Sequence, residues 1–168
     1  MATTATSTTP REVVLAYFDA LNRHDLDAAA KLLSPDLVED ITGIGVFRGP
    51  GEVRDFFDGI FKAVPDLEVT VDQTTAEEDR VAVQWRFRGN FTGGPLFNGV
   101  QATGGHFAIR GCDVLQVRDG LIVHNAAFQD GTELARTLGM MPPQDSPAER
   151  AMIAAFNGVT KLRQTLRR

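Results

Sequence analysis

One strand-like segment carries a carboxylate where its pattern calls for an apolar side chain. Residues 107–117 alternate in character, and successive side chains of a strand face opposite sides of a sheet. The face that holds the apolar side chains also holds Asp113. Removing an ionised carboxylate from water is costly, so we expect Asp113 to be paired, protonated or chemically active. A structural hydrogen-bonded role, or a β-bulge that turns it outward, would also explain the pattern.

Further titratable residues follow on the next strand-like segment, over residues 121–129. In strict alternation, His124, Phe128 and Asp130 share one face. Asp130 could serve as a base in a pocket, or it could cap the helix that the sequence predicts over residues 132–138. His124 is a candidate for orienting a substrate, although a structural or solvent-exposed role also explains it.

The composition argues against several classes of function. The formal net charge of −5 does not suit a nucleic-acid-binding surface. Cys112 is the single cysteine, so no internal disulfide forms, and the three histidines are too widely spaced to suggest a metal site. The longest apolar run, residues 151–156, is too short to span a bilayer. Because the N-terminus lacks a basic start and an apolar stretch, we expect a cytoplasmic protein without a signal peptide or membrane association.

Helical periodicity dominates the first part of the chain. A capping box at residues 9–12 begins a predicted helix that runs to about residue 22 and carries Tyr17 on its apolar side. A short helix over residues 26–33 and a brief strand over residues 37–41 are expected next. A longer helix follows, in which apolar residues recur at helical spacing: Val53, Phe56, Phe57, Ile60 and Phe61.

After Pro65 the period becomes that of strands. Trp85 lies on the apolar face of a strand over residues 81–87, and Asp119-Gly120 predicts a hairpin between residues 106–117 and 121–129. Helices followed by an antiparallel meander predict an α+β fold with the helices on one face of the sheet. A sheet that curls around the helices would enclose a pocket, with Asp113 pointing into it and with Trp85 and the helix phenylalanines as its lining.

The chain divides into three parts by composition. Residues 1–9 are rich in Thr and Ala and predict a disordered tail. Residues 10–143 form the predicted domain. The prolines at 142 and 143 interrupt the chain, and a second capping box predicts a helical extension over residues 144–168. We expect this extension to pack on its own body, on a second subunit or over the mouth of the pocket.

Several short motifs occur along the chain: Phe47-Arg48-Gly49-Pro50, Phe91-Thr92-Gly93, Gly111-Cys112-Asp113-Val114, Arg118-Asp119-Gly120-Leu121 and Leu138-Gly139-Met140-Met141-Pro142. In their order and spacing they resemble the nuclear transport factor 2-like superfamily and, within it, the SnoaL-like polyketide cyclases. The resemblance implies a cone-shaped barrel made of a strongly curved antiparallel sheet wrapped around N-terminal helices, and a homodimer. Cyclases of this kind close a ring by intramolecular aldol condensation without a metal or cofactor.

The resemblance also implies roles for individual residues. In the cyclases the acid/base aspartate matches Asp130. In the related steroid ketoisomerases the base matches Asp40, and the pair that stabilises the oxyanion matches Tyr17 and Asp113. Limonene-epoxide hydrolase is a more distant alternative, in which Arg86 would stand for a catalytic arginine.

The sequence therefore favours a cofactor-independent enzyme that performs acid/base chemistry on a hydrophobic carbonyl compound, as a polyketide cyclase or an isomerase does. The predicted catalytic residues are Asp130, Asp40, Asp113 and Tyr17, and the predicted substrate-binding residues are His124, Phe128, Trp85, Phe57 and Phe61. A protein that binds a hydrophobic small molecule without catalysis, and an interaction module that uses the sheet and the added helix, are the alternatives.

Overall fold

The computed structural model describes residues 8–96 and 99–167. Most of the predicted tail, residues 1–7, lies outside the described residues. Five helices and six strands follow one another along the chain: α1 (Pro10–Asn22), α2 (Leu26–Ala30), β1 (Leu33–Ile41), β2 (Gly45–Arg48), α3 (Gly49–Ala63), β3 (Glu68–Glu77), β4 (Arg80–Asn90), β5 (His106–Arg118), β6 (Leu121–Gln129), α4 (Gly131–Thr137) and α5 (Pro147–Leu166).

The six strands form one curved sheet in the order β2-β1-β6-β5-β4-β3. Every neighbouring pair is antiparallel except β1 and β6, which are parallel. Helix α1 packs against β3, β4, β5 and β6, while α3 packs against β1 and β2. This arrangement confirms the predicted α+β fold, in which a curved and mostly antiparallel sheet encloses the N-terminal helices.

Local signals placed most of these elements. The Thr9 side chain accepts a hydrogen bond from the backbone of Glu12, whose carboxylate accepts one from Thr9 in return, so the predicted capping box begins α1. Asp119 and Gly120 both have positive φ, which suits the tight hairpin between β5 and β6. The second helix is shorter than predicted because the chain enters β1 at residue 33.

One irregularity in the sheet matters for the site. Gln116 pairs with His124, whereas the next residue of β5, Val117, pairs with Ile122. Val123 is therefore an extra residue on β6, which is a β-bulge. Because side chains alternate with a period of two, this single residue reverses the direction of every later side chain of β6.

Helix α5 lies largely outside the hydrophobic core. Its start is capped by Ser146, as predicted, and Glu149 accepts a hydrogen bond from Arg136 of α4 at 2.5 Å. No helix in residues 8–96 or 99–167 is long and apolar enough to cross a membrane. The large apolar side chains of α5 are exposed: Met152, Ile153, Phe156, Val159, Leu162 and Leu166.

Candidate functional site

Asp113 lies inside the curved sheet, 6% exposed, on the face of β5 that the alternation predicts. Each of its carboxylate oxygens accepts one hydrogen bond. Trp85 Nε1 donates to Oδ1 at 2.7 Å, and Asn125 Nδ2 donates to Oδ2 at 2.9 Å. Burial raises the pKa of Asp113 to about 6, and these two hydrogen bonds oppose that rise. Asp113 is therefore ionised at neutral pH.

A second carboxyl group, Glu39, lies beside Asp113 and is 3% exposed. It projects from β1 on the same buried face as Leu37 and Ile41. Burial raises the pKa of Glu39 to about 8; the charge of Asp113 adds to the rise, and Asn125 opposes it. Glu39 is therefore a neutral carboxylic acid at pH 7, and the pair carries one proton between about pH 6 and pH 8.

Tyr17 provides a third polar group. It lies on the buried side of α1, 2% exposed, and its hydroxyl has no hydrogen-bond partner among the described residues. Burial raises the pKa of Tyr17 well above its ordinary value, and the charges of Glu39 and Asp113 add to this effect. The phenol is therefore a neutral donor with a free O–H. A buried polar group without a partner is costly, and here it is available to a ligand.

Asn125 connects the two carboxyl groups. It is 1% exposed, and its amide nitrogen donates to Asp113, while its Oδ1 has no partner among the described residues. Asn125 pairs with Glu39 across β1 and β6. Its side chain opposes the rise that burial causes in the pKa of both Asp113 and Glu39.

These groups open into a small apolar cavity, which we call the inner chamber. Its volume is about 50 Å³, enough for the edge of a molecule rather than a whole one. Glu39, Tyr17, Trp85 and Asp113 all line it. The rest of its wall is mainly aromatic and aliphatic: Phe18, Leu21, Ile41, Phe56, Phe57, Ile60, Phe87, Phe107 and Ile109.

A larger space, the outer cleft, adjoins the inner chamber and has a volume of about 620 Å³. It lies between α3, α4 and the segment that contains Pro95 and Leu96. Four residues line both spaces and mark where they meet: Ile44, Phe56, Ile60 and Gln129. The side-chain amide of Gln129 is held there by a hydrogen bond of 2.5 Å to the carbonyl oxygen of Thr42.

A family model described as a SnoaL-like domain matches residues 14–125, two thirds of the chain and most of the sheet that carries these groups. The chain belongs to the SnoaL-like domain family. The matched segment contains Tyr17, Glu39, Trp85, Asp113 and Asn125, whereas α4 and α5 lie beyond it. The comparison with curated proteins finds no significant match.

Solved structures resemble this SnoaL-like domain over nearly their whole length. AclR of Streptomyces galilaeus, a proposed hydroxylase, is 31% identical and aligns with a TM-score of 0.68 over 79% of this chain and 97% of its own. IdmH of Streptomyces antibioticus, a proposed polyketide cyclase, is 26% identical, with a TM-score of 0.67 over 78% and 99%. A proposed SnoaL-like polyketide cyclase from Jannaschia sp. CCS1 is 23% identical, with a TM-score of 0.71 over 84% and 99%, and supports the fold alone.

The structure places two of the predicted acids of this SnoaL-like domain outside the chamber. Asp40 is exposed, because its neighbour Glu39 takes the inward position on β1. Asp130 is also exposed and caps α4, accepting hydrogen bonds from the backbone of Thr132 at 2.8 Å and of Glu133 at 3.1 Å. Those backbone hydrogen bonds lower the pKa of Asp130, which makes it a weak base.

The bulge at Val123 explains why three predictions on β6 were wrong. Strict alternation predicts that His124, Phe128 and Asp130 face the pocket together with Ile122. In the structure Asn125 and Ala127 face inward instead, His124 is exposed, and Phe128 is 52% exposed. Asn125, which strict alternation assigns to the outer face, is thus one of the central polar groups of the site.

The remaining predicted residues divide between the chamber and its surroundings. Phe57 and Trp85 line the inner chamber, as does Tyr17. Phe61 does not line it and instead stacks on His24, with ring centroids 4.0 Å apart. Arg86 is bound to Asp72 on the outer side of the sheet, so it cannot act in the chamber as an epoxide-hydrolase arginine would.

Glu39 is the functional candidate that the sequence reasoning missed. The signal that could have found it is the one that singled out Asp113, because Leu37, Glu39 and Ile41 alternate on the apolar face of a short strand. Within residues 8–96 and 99–167, no group of three His, Cys, Asp or Glu side chains is placed to hold a metal ion.

Proposed function

We propose that the inner chamber catalyses proton transfer beside a carbonyl group, in the manner of a cyclase or isomerase that uses no cofactor. One observation carries this proposal: a neutral Glu39 and an ionised Asp113 lie together in an apolar chamber with the unpartnered hydroxyl of Tyr17. Two groups of the same chemical type with pKa values pushed apart are suited to act as acid and base in one reaction.

In the proposed reaction the substrate carbonyl oxygen accepts hydrogen bonds from Tyr17 and Glu39. The carboxylate of Asp113 removes a proton from the carbon beside the carbonyl, and the negative charge of the resulting enolate develops on the oxygen that the two donors hold. The enolate then attacks a second carbonyl of the same molecule, which closes a ring, or it is reprotonated at another carbon, which moves a double bond. Asp113 returns its proton to the new alkoxide or to that carbon, so no group is consumed.

The family relationship supports this class of chemistry. IdmH, which is 26% identical, is a proposed polyketide cyclase, and AclR, which is 31% identical, is a proposed hydroxylase. The raised pKa of Asp113, to about 6, makes it a better match for a weakly acidic C–H than an exposed aspartate would be. The mainly apolar outer cleft gives space for the body of a hydrophobic substrate.

The test measures only the first step, the removal of a proton beside the carbonyl. The final product of the reaction therefore does not have to be known. The protein is incubated with 2-tetralone in D₂O at pD 7, and deuterium exchange beside the carbonyl is followed by proton NMR. We expect Glu39→Gln and Asp113→Asn each to lower the protein-dependent rate at least about 100-fold, as expected for loss of a general acid or base. Asp40→Asn is the matched control on the same strand and should stay within about two-fold of wild type.

An exchange rate of Glu39→Gln equal to that of Asp40→Asn would overturn the proposal. A non-catalytic role in binding is the second candidate, because the outer cleft does not depend on the acids. Binding of 2-tetralone by wild type without any exchange above the buffer rate would establish that role instead.

A further inference from the structure

In the part of the chain that the structure describes, the inner chamber and the outer cleft are lined by acidic side chains without basic ones. Among the described residues that line the inner chamber and the outer cleft there is no lysine, arginine or histidine. Three acids line them: Glu39 and Asp113 in the inner chamber, and Asp55 in the outer cleft. A negatively charged ligand would therefore meet like charges and find no cation to pair with in these walls.

The apolar surroundings increase the effect of this charge. Asp113 is buried and lies in a wall made mainly of aromatic and aliphatic side chains, where charges interact more strongly than they do in water. A carboxylate or phosphate moved into such a space loses its hydration and finds no positively charged side chain among the described lining residues. An uncharged ligand loses much less, and it can use the free hydroxyl of Tyr17 as a donor.

The different volumes of the two spaces indicate which part of a ligand each can hold. The inner chamber is about 50 Å³ and admits only a small end of a molecule, whereas the outer cleft is about 620 Å³. Phe56 and Gln129 line both spaces and lie where the two meet. The side-chain amide of Gln129 donates a hydrogen bond to the carbonyl oxygen of Thr42 at this junction.

We propose that the two joined spaces bind an uncharged, largely apolar substrate, with its carbonyl end in the inner chamber and a body free of carboxylate and phosphate groups in the outer cleft. The assignment of the carbonyl end rests on the proposed acid/base function. The preference against negative charge rests on the lining residues alone.

The test compares two probes that differ, at the end remote from a ketone, in charge and by one methyl group. These are 6-acetyl-2-naphthoic acid, which is ionised at pH 7, and its methyl ester. We expect isothermal titration calorimetry to show that wild type binds the ester at least about 30-fold more tightly than the acid. Equal affinities, or no binding of either probe, would overturn the proposal.

Adding a positive charge to the outer cleft separates the effect of a ligand's charge from the effect of its hydrophobicity. Ala135 and Met140 both line the outer cleft, and Met140 is 64% exposed, so a lysine there is compatible with folding. Ala135→Lys and Met140→Lys should each raise the affinity for the acid, relative to that for the ester, at least about 10-fold. Ala148→Lys, which adds the same charge on α5 outside the cleft, should leave both affinities unchanged.

If neither lysine changes the ratio of the two affinities relative to Ala148→Lys, the cleft does not select by charge and the proposal fails. The outcome is independent of the acid/base proposal. If only the acid/base proposal is wrong, deuterium exchange will be absent while the ester still binds more tightly than the acid. If only the charge proposal is wrong, exchange will occur and the acid and the ester will bind equally.

Discussion

Trp85 donates a hydrogen bond from Nε1 to Oδ1 of Asp113 at 2.7 Å, and both side chains line the inner chamber. Trp85 is also the single tryptophan of the chain. The indole is therefore in direct contact with the group whose ionisation the proposed chemistry requires, and its fluorescence reports on that group without an added label.

We expect the emission of Trp85 to titrate with a midpoint near pH 6, because burial raises the pKa of Asp113 to about 6. Protonation removes the charge that the indole N–H faces. Fluorescence measured from pH 4.5 to pH 7.5 checks this, and Asp113→Asn should abolish the transition. A midpoint near pH 4, or an unchanged transition in Asp113→Asn, would contradict the environment described for Asp113.

Glu39 makes the stability of the fold depend on pH. Its pKa is about 8 in the folded chain, against an ordinary value of 4.5 for an exposed glutamate, so the folded state retains a proton that the unfolded state releases. The stabilisation is complete below pH 4.5 and is lost as pH rises towards 8, by up to about 1.4 kcal/mol per pH unit for this group. Asp113 adds to this loss of stability as pH rises from 3.8, the ordinary pKa of an aspartate, to about 6, its pKa in the folded chain.

Urea denaturation at pH 5, 6.5 and 8 measures this dependence. Glu39→Gln should lose less stability than wild type between pH 5 and pH 8, because an amide cannot ionise. Asp40→Asn, one residue away on the exposed side, should keep the wild-type slope. A wild-type protein whose free energy of unfolding stays constant over this range would refute the raised pKa of Glu39.

Asp130 should prove structural. Its carboxylate accepts hydrogen bonds from the backbone of Thr132 and Glu133 at the start of α4, and it does not line the chamber. We expect Asp130→Ala to lower the melting temperature by a few degrees at most, through loss of the helix cap. Deuterium exchange of 2-tetralone should stay within about two-fold of wild type; a loss comparable to that of Asp113→Asn would restore Asp130 as a catalytic candidate.

Gly111 allows the close contact between β5 and Trp85. A Cβ at this position would lie 2.4 Å from Cζ2 of Trp85 and 2.5 Å from the carbonyl oxygen of Phe128 on β6. We expect Gly111→Ala to destabilise the fold by about 1–3 kcal/mol and to shift the emission of Trp85. Thermal unfolding and fluorescence check this, with Gly51→Ala as the control because a Cβ there has nothing within 4 Å. Equal melting temperatures for the two variants would contradict the contact.

The regular parts of the fold were predictable from local pattern. The capping box at Thr9 predicted the start of α1. The helical recurrence around Phe57 and the alternation around Asp113 predicted the correct buried sides of α3 and β5, because each pattern involves residues close in the chain. The sequence alone therefore sufficed to assign Asp113, Tyr17 and Trp85 to the interior of the fold.

The inward-facing polar residues of β1 and β6 were not predicted in this way. On β1 the choice of Asp40 followed a resemblance, although the alternation of Leu37, Glu39 and Ile41 pointed to Glu39. On β6 the pattern carries no clear sign of the bulge at Val123, because a bulge depends on how β6 pairs with β5.

Local spacing along the chain thus specifies which side chains lie on the buried face of a helix or a regular strand, because that pattern involves residues only a few positions apart. Which acids meet, and how far their pKa values move, follows from the pairing of β1 and β5 with β6 and from the packing of α1 on β5 and β6. This packing brings Glu39, Asp113, Asn125 and Tyr17 together from distant parts of the chain. Desolvation and charge–charge interaction act through space, so they exist only once that packing has formed.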